Sequence, residues 1–284
     1  MNKIIKLVSL ILFFMLSIYY TDYCINSLRE LDPIMNEIKN SSKDYKINAI
    51  NAIIKDNTIQ SGLSGVDIDY KESYSRMKQY GTYNESLTSI KKVEPTISIK
   101  DNYDKYVIGG NLNNKNISFV FILNDMDNIY SLLNILDEKN IKTNFFIDGN
   151  LIEDNILLIK KISEKHSIDI LSYNGEYDKS LIISSKLYLE KIINKNCLFC
   201  YSEIDNDKLI NICSENKMYT LKPSVVFDKY LYDGIKNNLY NSSIIGIHVT
   251  KNIIYELSST VDYVRGRGYK IVSVNELIRE WFFF

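Results

Sequence analysis

The sequence has no imbalance between positive and negative charge, and it has few cysteine, histidine and proline residues. Lysine and arginine number 34 and aspartate and glutamate 35, for a net charge of −1. Nucleic-acid partners therefore have no electrostatic support. Proline occurs three times, a scarcity to which we attach little functional meaning. The apolar fraction of 45% in 284 residues excludes a disordered chain and suffices for one sizeable domain with an accessory region.

Cysteine is also sparse, and the four residues are Cys24, Cys197, Cys200 and Cys213. Cys197 and Cys200 form a CxxC pair, which in an exported protein could be a redox pair or bind metal. Zinc would need two more Cys or His at matched spacing, and only one Cys lies nearby. The alternating apolar context favours buried strand cysteines over a redox pair.

The N-terminal segment joins positive charge to an apolar run. Lys3 and Lys6 precede the uncharged stretch Leu7 to Tyr20, a pattern typical of an export signal whose N-terminus stays inside. The run is shorter than the ~20 residues of a full membrane span. Because no small-x-small cleavage site follows, we predict an uncleaved anchor and an extracytoplasmic location at the bacterial cell surface or envelope. The alternatives are a cleaved signal peptide, a lipid-modified Cys24 and a buried helix of a soluble protein.

Changes in composition and in the spacing of apolar residues divide the chain into four predicted regions. Residues 1–24 are the predicted membrane segment, and residues 25–55 a stalk that includes an apolar piece, 47–54, which could be a short helix. Residues 56–114 are a small α+β accessory module of unknown role. Alternation at 66–70 and 96–99 predicts short strands there, around a helix near 74–80. Residues 115–284 form an α/β domain.

The α/β domain alternates β-rich runs with amphipathic stretches. Residues 117–123 are nearly all apolar, as expected of a strand covered on both faces. Ile129, Leu132, Leu133 and Leu136 form one helical stripe. Further strands are predicted at 143–147, 167–171, 198–201, 218–221, 243–248 and 269–272, with helices at 152–162, 181–193, 208–213 and 253–264 and one at the end. This order predicts a parallel sheet or barrel with right-handed crossovers.

In such folds the site lies at the carboxyl ends of the strands. Asn124, Asp125 and Asp127 follow the first strand of the domain. The segment 172–178, which includes Glu176 and Asp178, follows the third, and His248 ends a later one. These positions are the one constellation with catalytic potential. His166 lies at a helix-to-strand junction away from it, where a structural role is favoured.

Two segments carry a resemblance to a known family. LLNILDEKNIKTNFFIDG, from Leu132 to Gly149, and RGRGYKIVSVNEL, from Arg265 to Leu277, resemble the family's "iLdiLkkygikATFFvtG" and "kkkGYkfvtlsel". The family is that of the polysaccharide deacetylases, also called the NodB-homology domain or carbohydrate esterase family four. The match covers residues 117–277. It implies a distorted (β/α) barrel, which in this chain is preceded by the membrane segment and the accessory module.

The catalytic motifs depart from the family. Its Thr-Phe-Asp-Asp-Gly motif supplies a base and then a metal ligand, and Asn124 and Asp125 stand at those positions. An amide cannot accept a proton at neutral pH, so base catalysis by that residue is lost. The two metal-binding histidines are replaced within the segment 171–176, and the arginine of the Arg-Pro-Pro-Tyr-Gly motif is missing. Tyr201 keeps the tyrosine of that motif, and His248 keeps the general acid.

We therefore predict a membrane-tethered polysaccharide-deacetylase-like protein that lacks standard metal-dependent deacetylation and acts in glycan binding or as an interaction module. The alternative is an active N-deacetylase of envelope polysaccharide or peptidoglycan with atypical oxygen ligands. A third option makes the domain a spacer for the accessory module. Candidate site residues are His248 and Asp125 (catalytic), Tyr201 and Glu176 (substrate-binding) and Asp125 (metal). A divalent metal is not expected, because one aspartate alone is not a site. The alternative is a harder cation held through oxygen by Asp125 and Asp127 together with Glu176 or Asp178. The predicted partners are the membrane and envelope glycan or peptidoglycan.

Overall fold

The computed structural model describes residues 2–281 and divides into two compact units. One comprises Met1–Ala49 and Gly65–Val93, and the other Ile50–Ser64 and Glu94–Phe284. Each unit is thus built from two stretches of the chain. The domain boundaries predicted after residues 24, 55 and 114 stay predictions.

Helices and short strands follow one another along the described residues. The helices are α1 Asn2–Glu30, α2 Pro33–Tyr45, α3 Tyr70–Lys78, α4 Ile129–Glu138, α5 Ile156–Lys165, α6 Lys179–Ile193, α7 Asp207–Glu215, α8 Leu231–Asn237, α9 Lys251–Gly266 and α10 Val274–Leu277. The strands are β1 Ile53–Lys55, β2 Thr58–Gln60, β3 Gly65–Ile68, β4 Ile90–Val93, β5 Tyr106–Gly109, β6 Asn116–Leu123, β7 Asn144–Ile147, β8 Ser167–Ile170, β9 Phe199–Tyr201, β10 Tyr219–Leu221, β11 Val225–Phe227, β12 Ile244–His248 and β13 Lys270–Ile271.

In the first unit, α2 packs against α3 and against β3, which pairs antiparallel with β4. Asp32 caps α2 by accepting a hydrogen bond from the Ile34 N–H, and Pro33 suits the first helical turn because it needs no N–H partner there. The Asp32 carboxylate also binds Tyr74 and Lys78, and the Lys78 hydrogen bond holds its pKa below the ordinary value. The small core comprises Ile34, Ile38, Ile68 and Met77.

The same unit contains one helix that is long and apolar enough to cross a membrane, over Ile5–Glu30. A signal sequence passes the same test of length and composition. The apolar piece 47–54, for which a stalk or short helix was predicted, is extended instead. Ile47 forms a bridge to Val66, and Ile50 in the second unit forms one to Leu63. The small helix of the accessory region begins at Tyr70, because Asp69 caps it by accepting from the Glu72 N–H.

In the second unit, β11, β12, β6, β7 and β8 form a parallel sheet, and β13 adds to β6. A second sheet has the order β1-β2-β5-β10-β9, parallel except for β1 with β2. The predicted α/β class and the parallel pairing are confirmed.

Alternate residues of the central strand β6 enter two different cores. Phe119, Phe121 and Leu123 pack with the buried stripe of α4 in the larger core. Val120 and Ile122 pack with residues of both sheets in the smaller core. The helical stripe predicted at Ile129, Leu132, Leu133 and Leu136 is buried in full. Both faces of β6 are therefore covered, as its continuous apolar sequence predicts.

Two groups of contacts link strands of one sheet to the other. Gly109, at the end of β5, forms an isolated antiparallel bridge to Ser243, just before β12. At the facing edge strands β8 and β9, Asp169 of β8 accepts hydrogen bonds from the N–H groups of Leu198 and Phe199, at 2.8 and 3.1 Å. The α/β domain, for which a distorted barrel was predicted, is thus built from two partial sheets that these contacts link.

The cysteines pair differently from the CxxC alternative. Cys200 on β9 forms a disulfide with Cys213 on α7, with Cα atoms 6.4 Å apart. Cys197 is buried and free, and Cys24 is free as well. The alternative of a redox or metal-binding CxxC pair is therefore wrong, because Cys200 is bonded to Cys213 on α7. Cys197 is a small apolar residue of the core, the role that the sequence favours for both cysteines of the CxxC pair.

Several short elements were not predicted, and one predicted strand is absent. Before residue 115 the unpredicted elements are α2, β1, β2, β4 and β5. Strand β11 and helix α8 lie in the stretch 222–242, which has no regular apolar period. Residues 96–99 do not form a strand, because Ser98 caps a 3₁₀ turn over Ile99–Asp101 and Glu280 accepts a hydrogen bond from the Ile99 N–H.

Candidate functional site

His248 ends β12 at the carboxyl edge of the sheet, and both of its ring nitrogens are engaged. Its residue pairs with Ile122 of β6, which places Asn124 beside it. The His248 Nε2 lies 2.8 Å from Oε1 of Glu203, and its Nδ1 lies 3.0 Å from the Asn124 amide nitrogen. Because a carboxylate can only accept, Nε2 carries the proton. Nδ1 then accepts from Asn124.

Tyr201 extends this chain of hydrogen bonds from the core. Its ring is 1% exposed and packs at 5.1 Å from the Phe146 ring, and its hydroxyl donates to the same Glu203 oxygen at 3.3 Å. Gly246 of β12 makes room for it, because a Cβ at that position would overlap the Tyr201 hydroxyl. Residues at the ends of β6, β9 and β12 thus form one hydrogen-bonded group of polar side chains.

The electrostatics of this group favour a charged Glu203. The hydrogen bond from His248 lowers the pKa of Glu203, and this effect outweighs partial burial, which raises it. Burial, followed by the Glu203 charge, raises the pKa of Tyr201. Tyr201 is therefore a neutral donor and Glu203 an anion at neutral pH.

These side chains border an open cleft of about 520 Å³. Its lining residues share a position at the carboxyl ends of β6, β9, β11 and β12. They are Asn124, Glu203, Val226, Asp228, His248 and Thr250. A cleft at this edge is where ligands bind in parallel α/β folds.

Asp125 and Glu176, two of the predicted site residues, do not join this group in the described contacts. Asp125 is exposed, and its carboxylate accepts from the Asp127 N–H at 2.8 Å. Glu176 is exposed and pairs with Tyr173 through main-chain atoms alone. The structure brings His248 and Tyr201 together through Glu203.

The loop after β8 is shaped by a buried carboxylate on the neighbouring strand end. Asp148 is 7% exposed and accepts from the Ser172 hydroxyl and from the N–H groups of Asn150, Asn174 and Gly175. Burial raises the pKa of Asp148, but these hydrogen bonds outweigh it, so the pKa lies below the ordinary value. The loop that carries metal-binding histidines in the family therefore closes on Asp148 instead.

The donor set does not fit the divalent metal that the family resemblance implies. The loop 171–176 holds no imidazole, and Leu171 packs in the smaller core. Among residues 2–281, no three His, Cys, Asp or Glu side chains are grouped so that they could hold a metal ion. A catalytic metal needs about three protein ligands. The side chains of this cleft therefore support no reaction step through a metal.

His166 is a buried residue away from this cleft. It is 5% exposed, its ring meets that of Phe145 edge-on at 5.3 Å, and its Nδ1 has no described partner. Burial lowers its pKa to about 4.

Comparison with solved structures shows that this α/β domain has the fold of carbohydrate esterase family 4 structures. The chain is similar to BA3943, a CE4 family pseudoenzyme from Bacillus anthracis, with 20% identity, a TM-score of 0.69 and coverage of 88% of this chain and 96% of that one. It is also similar to PdaA of Bacillus subtilis, a family 4 carbohydrate esterase (21%, TM-score 0.56, 63% and 86% covered).

Another similar structure is the Bc1960 peptidoglycan N-acetylglucosamine deacetylase (19%, TM-score 0.55, 61% and 92% covered). A curated relative, the uncharacterized protein YlxY of Bacillus subtilis strain 168, is 24% identical over 275 residues, which are 88% of this chain and 84% of that protein. No family model matches the chain. At these identities the structural neighbours establish the fold, and the predicted resemblance to a deacetylase with degenerate motifs is confirmed at that level.

Both carboxylates of the cleft, Glu203 and Asp228, were missed among the predicted site residues. Glu203 follows β9, so the rule that selected Asp125 and His248 applies to it as well. Asp228 follows β11, a strand of three residues that lacks a detectable period.

Proposed function

We propose that this chain is a membrane-tethered, extracytoplasmic protein of deacetylase-like fold that binds envelope glycan without hydrolysing it. The observation that carries the proposal is the engagement of both His248 nitrogens, by Glu203 and by Asn124. A general acid must present a proton to the leaving group, and in this cleft the Nε2 proton points at a carboxylate of the protein. Substrate protonation would first require this hydrogen bond to break.

The other catalytic parts give the same indication. The residue at the position of the base is Asn124, an amide, which cannot take a proton from water at neutral pH. The residues around it do not offer the donor set of a catalytic metal. What remains is an open cleft with polar side chains, which is suited to sugar hydroxyl groups.

The tether and the glycan are supported by separate observations. The apolar helix over Ile5–Glu30 satisfies the length and composition of a membrane anchor. One structural neighbour is named as a deacetylase of peptidoglycan N-acetylglucosamine, so a cell-wall glycan is the ligand class to test first. We propose peptidoglycan or a related envelope polysaccharide as partner.

The test compares binding with chemistry in the full-length protein, purified in detergent. Calorimetry with N-acetylated and de-N-acetylated glucosamine oligomers measures binding, and acetate release with added Zn²⁺, Co²⁺ or Mn²⁺ measures activity. We expect binding of at least one oligomer and no acetate above background. Acetate release that Asp125→Asn abolishes would instead establish the alternative, a hydrolase with oxygen ligands. Absence of binding to every glycan would overturn the proposal.

The anchor is tested by mass spectrometry of the mature protein from the membrane fraction. An uncleaved anchor predicts that residues 1–24 remain attached. A mature N-terminus beyond Tyr20 and release into the medium would show a cleaved signal peptide.

A further inference from the structure

The cleft-lining side chains have almost no free hydrogen-bond donors. Asn124 gives one amide N–H to His248, whose own N–H goes to Glu203. The Thr250 hydroxyl donates to the main-chain oxygen of Asp228 at 2.9 Å. One further N–H of Asn124 is the donor that these side chains leave for a ligand.

Acceptors, by contrast, are plentiful and negatively charged. Glu203 uses only Oε1 in its described hydrogen bonds, so Oε2 remains for a ligand. Asp228 is exposed, and its carboxylate has no described partner. Neither Lys nor Arg is among the residues that line the cleft. The neighbouring Lys229 lies over the Tyr230 ring, at 5.8 Å from its centroid, and does not line the cleft.

This set of donors and acceptors discriminates between two forms of the same sugar. An N-acetylglucosamine unit carries an acetamide, whose carbonyl needs a donor and whose N–H is a single neutral donor. A glucosamine unit carries an ammonium group, which has three donors and a positive charge. Hydrogen bonds from an ammonium group to carboxylates are about twice as strong as neutral ones. The remaining Asn124 N–H can serve the acetamide carbonyl, but the acetamide brings only one neutral donor to the carboxylates. The cleft therefore favours the amine over the acetamide.

We propose that the ligand of this cleft is a de-N-acetylated amino-sugar glycan, whose ammonium group binds Asp228 and the free oxygen of Glu203. The inference rests on the proposed function of glycan binding and specifies its ligand. It places the protein after an N-deacetylation reaction, since hydrolysis of the acetamide to acetate is what supplies such ammonium groups. The chain then recognises the product of the reaction that its structural relatives are named for.

The test measures the affinity of the full-length protein for three tetramers, of glucosamine, N-acetylglucosamine and glucose. At low salt we expect the glucosamine tetramer to bind at least about tenfold more tightly than the other two, a difference that each 1.4 kcal/mol of binding free energy produces. The preference should shrink as salt rises, because the ammonium and carboxylate groups are exposed to screening.

Asp228→Asn should reduce this preference by most of that factor without loss of folding, since the Asp228 side chain is exposed. Glu138→Gln is the matched control. It removes one carboxylate at the end of α4, away from the strand carboxyl ends, and the preference should not change.

Two results would overturn the inference while leaving glycan binding in place. One is equal affinity for the glucosamine and N-acetylglucosamine tetramers, and the other is a preference that Asp228→Asn and Glu138→Gln reduce alike, which would indicate general attraction to the acidic surface. Failure to bind any of the three tetramers would overturn the proposed function itself.

Discussion

Asp169 and Glu203 each accept two hydrogen bonds on one carboxylate oxygen, yet they differ in burial and charge. Asp169 sits at the edge between β8 and β9, is 2% exposed, and binds the N–H groups of Leu198 and Phe199. Burial raises its pKa to about 7. Glu203 borders the open cleft, and the His248 hydrogen bond lowers its pKa.

This difference shows which carboxylate stabilises the fold and which one is available to a ligand in the cleft. At Asp169 desolvation is the largest effect on the pKa, so the carboxyl group keeps its proton up to about pH 7. Its oxygen then serves as an acceptor for main-chain N–H groups. At Glu203 the hydrogen bond is the largest effect, so the charge persists where a ligand can reach it. Changes at Asp169 should therefore act on stability, and changes in the cleft on binding.

The largest effect is expected from Asp169→Ala. The change leaves one buried and one partly buried N–H group without an acceptor and should lower the free energy of unfolding by about 2 to 4 kcal/mol. Asp169→Asn keeps an acceptor oxygen without charge and should stay within about 1 kcal/mol of the native protein at pH 6. Urea unfolding measures both. Equal losses in the two variants would show that the carboxylate charge, not the acceptor, holds this edge.

The second effect is a pH dependence with two opposed parts. Asp169 has a folded pKa of about 7 against an ordinary 3.8, so the folded state keeps a proton that the unfolded state has lost, and stability falls as pH rises from about 4 to about 7. His166 has a folded pKa of about 4 against 6.5, so the unfolded state binds the extra proton and stability rises with pH from about 4 to about 6.5.

Variants separate these two parts. Asp169→Asn should leave the rise due to His166, and His166→Phe should leave the fall due to Asp169, as measured by the urea midpoint at several pH values between about 4 and 8. The Glu190 and Lys186 pair beside Asp169 stays in both variants. If Asp169→Asn does not change the slope between about pH 5 and 7, Asp169 does not titrate as described.

The frame of the domain could be predicted from the sequence because its signals are periodic. The apolar run of β6 and the α4 stripe at Ile129, Leu132, Leu133 and Leu136 each match one geometry. Strand β11 and the disulfide of Cys200 with Cys213 could not be predicted, since three residues give no period and pairing depends on the packing of α7 against β9.

The residues of the site divide in the same way, into those that the sequence could predict and those that it could not. His248 could be selected because it ends a strand, and Tyr201 because it keeps the tyrosine of the motif that the family resemblance implies. The rule of strand ends applies to Glu203 as well, because it follows β9, but the hydrogen bonds that connect the group are tertiary and could not be predicted. Asp125 and Glu176 were selected by the same rule of strand ends, but that rule gives the edge of the sheet and not the direction of a side chain.

A medium effect is expected at the point where the core meets the cleft. In Gly246→Ala the new methyl group would overlap the Tyr201 hydroxyl, and the overpacking should cost about 1 to 3 kcal/mol of stability. Displacement of Tyr201 should also weaken glycan binding through Glu203. The control is Gly266→Ala at the end of α9, where the added methyl group meets open space and stability should not fall. Full stability of Gly246→Ala would show that Tyr201 is not held as described.

The smallest effect is expected at the position of the missing base. Asn124→Asp restores the carboxylate of the family motif but removes the amide that donates to His248. Because Asn124 is exposed, the free energy of unfolding should change by no more than about 1 kcal/mol. Acetate release should stay at background even with added Zn²⁺, because the loop 171–176 still lacks imidazole ligands and a base without a metal cannot activate water in this cleft. If this single change produced zinc-dependent acetate release, the cleft would form a metal site from oxygen ligands. Glu203 would then have a structural role in that site, as Asp169 has in the fold, and would not be free to bind a ligand.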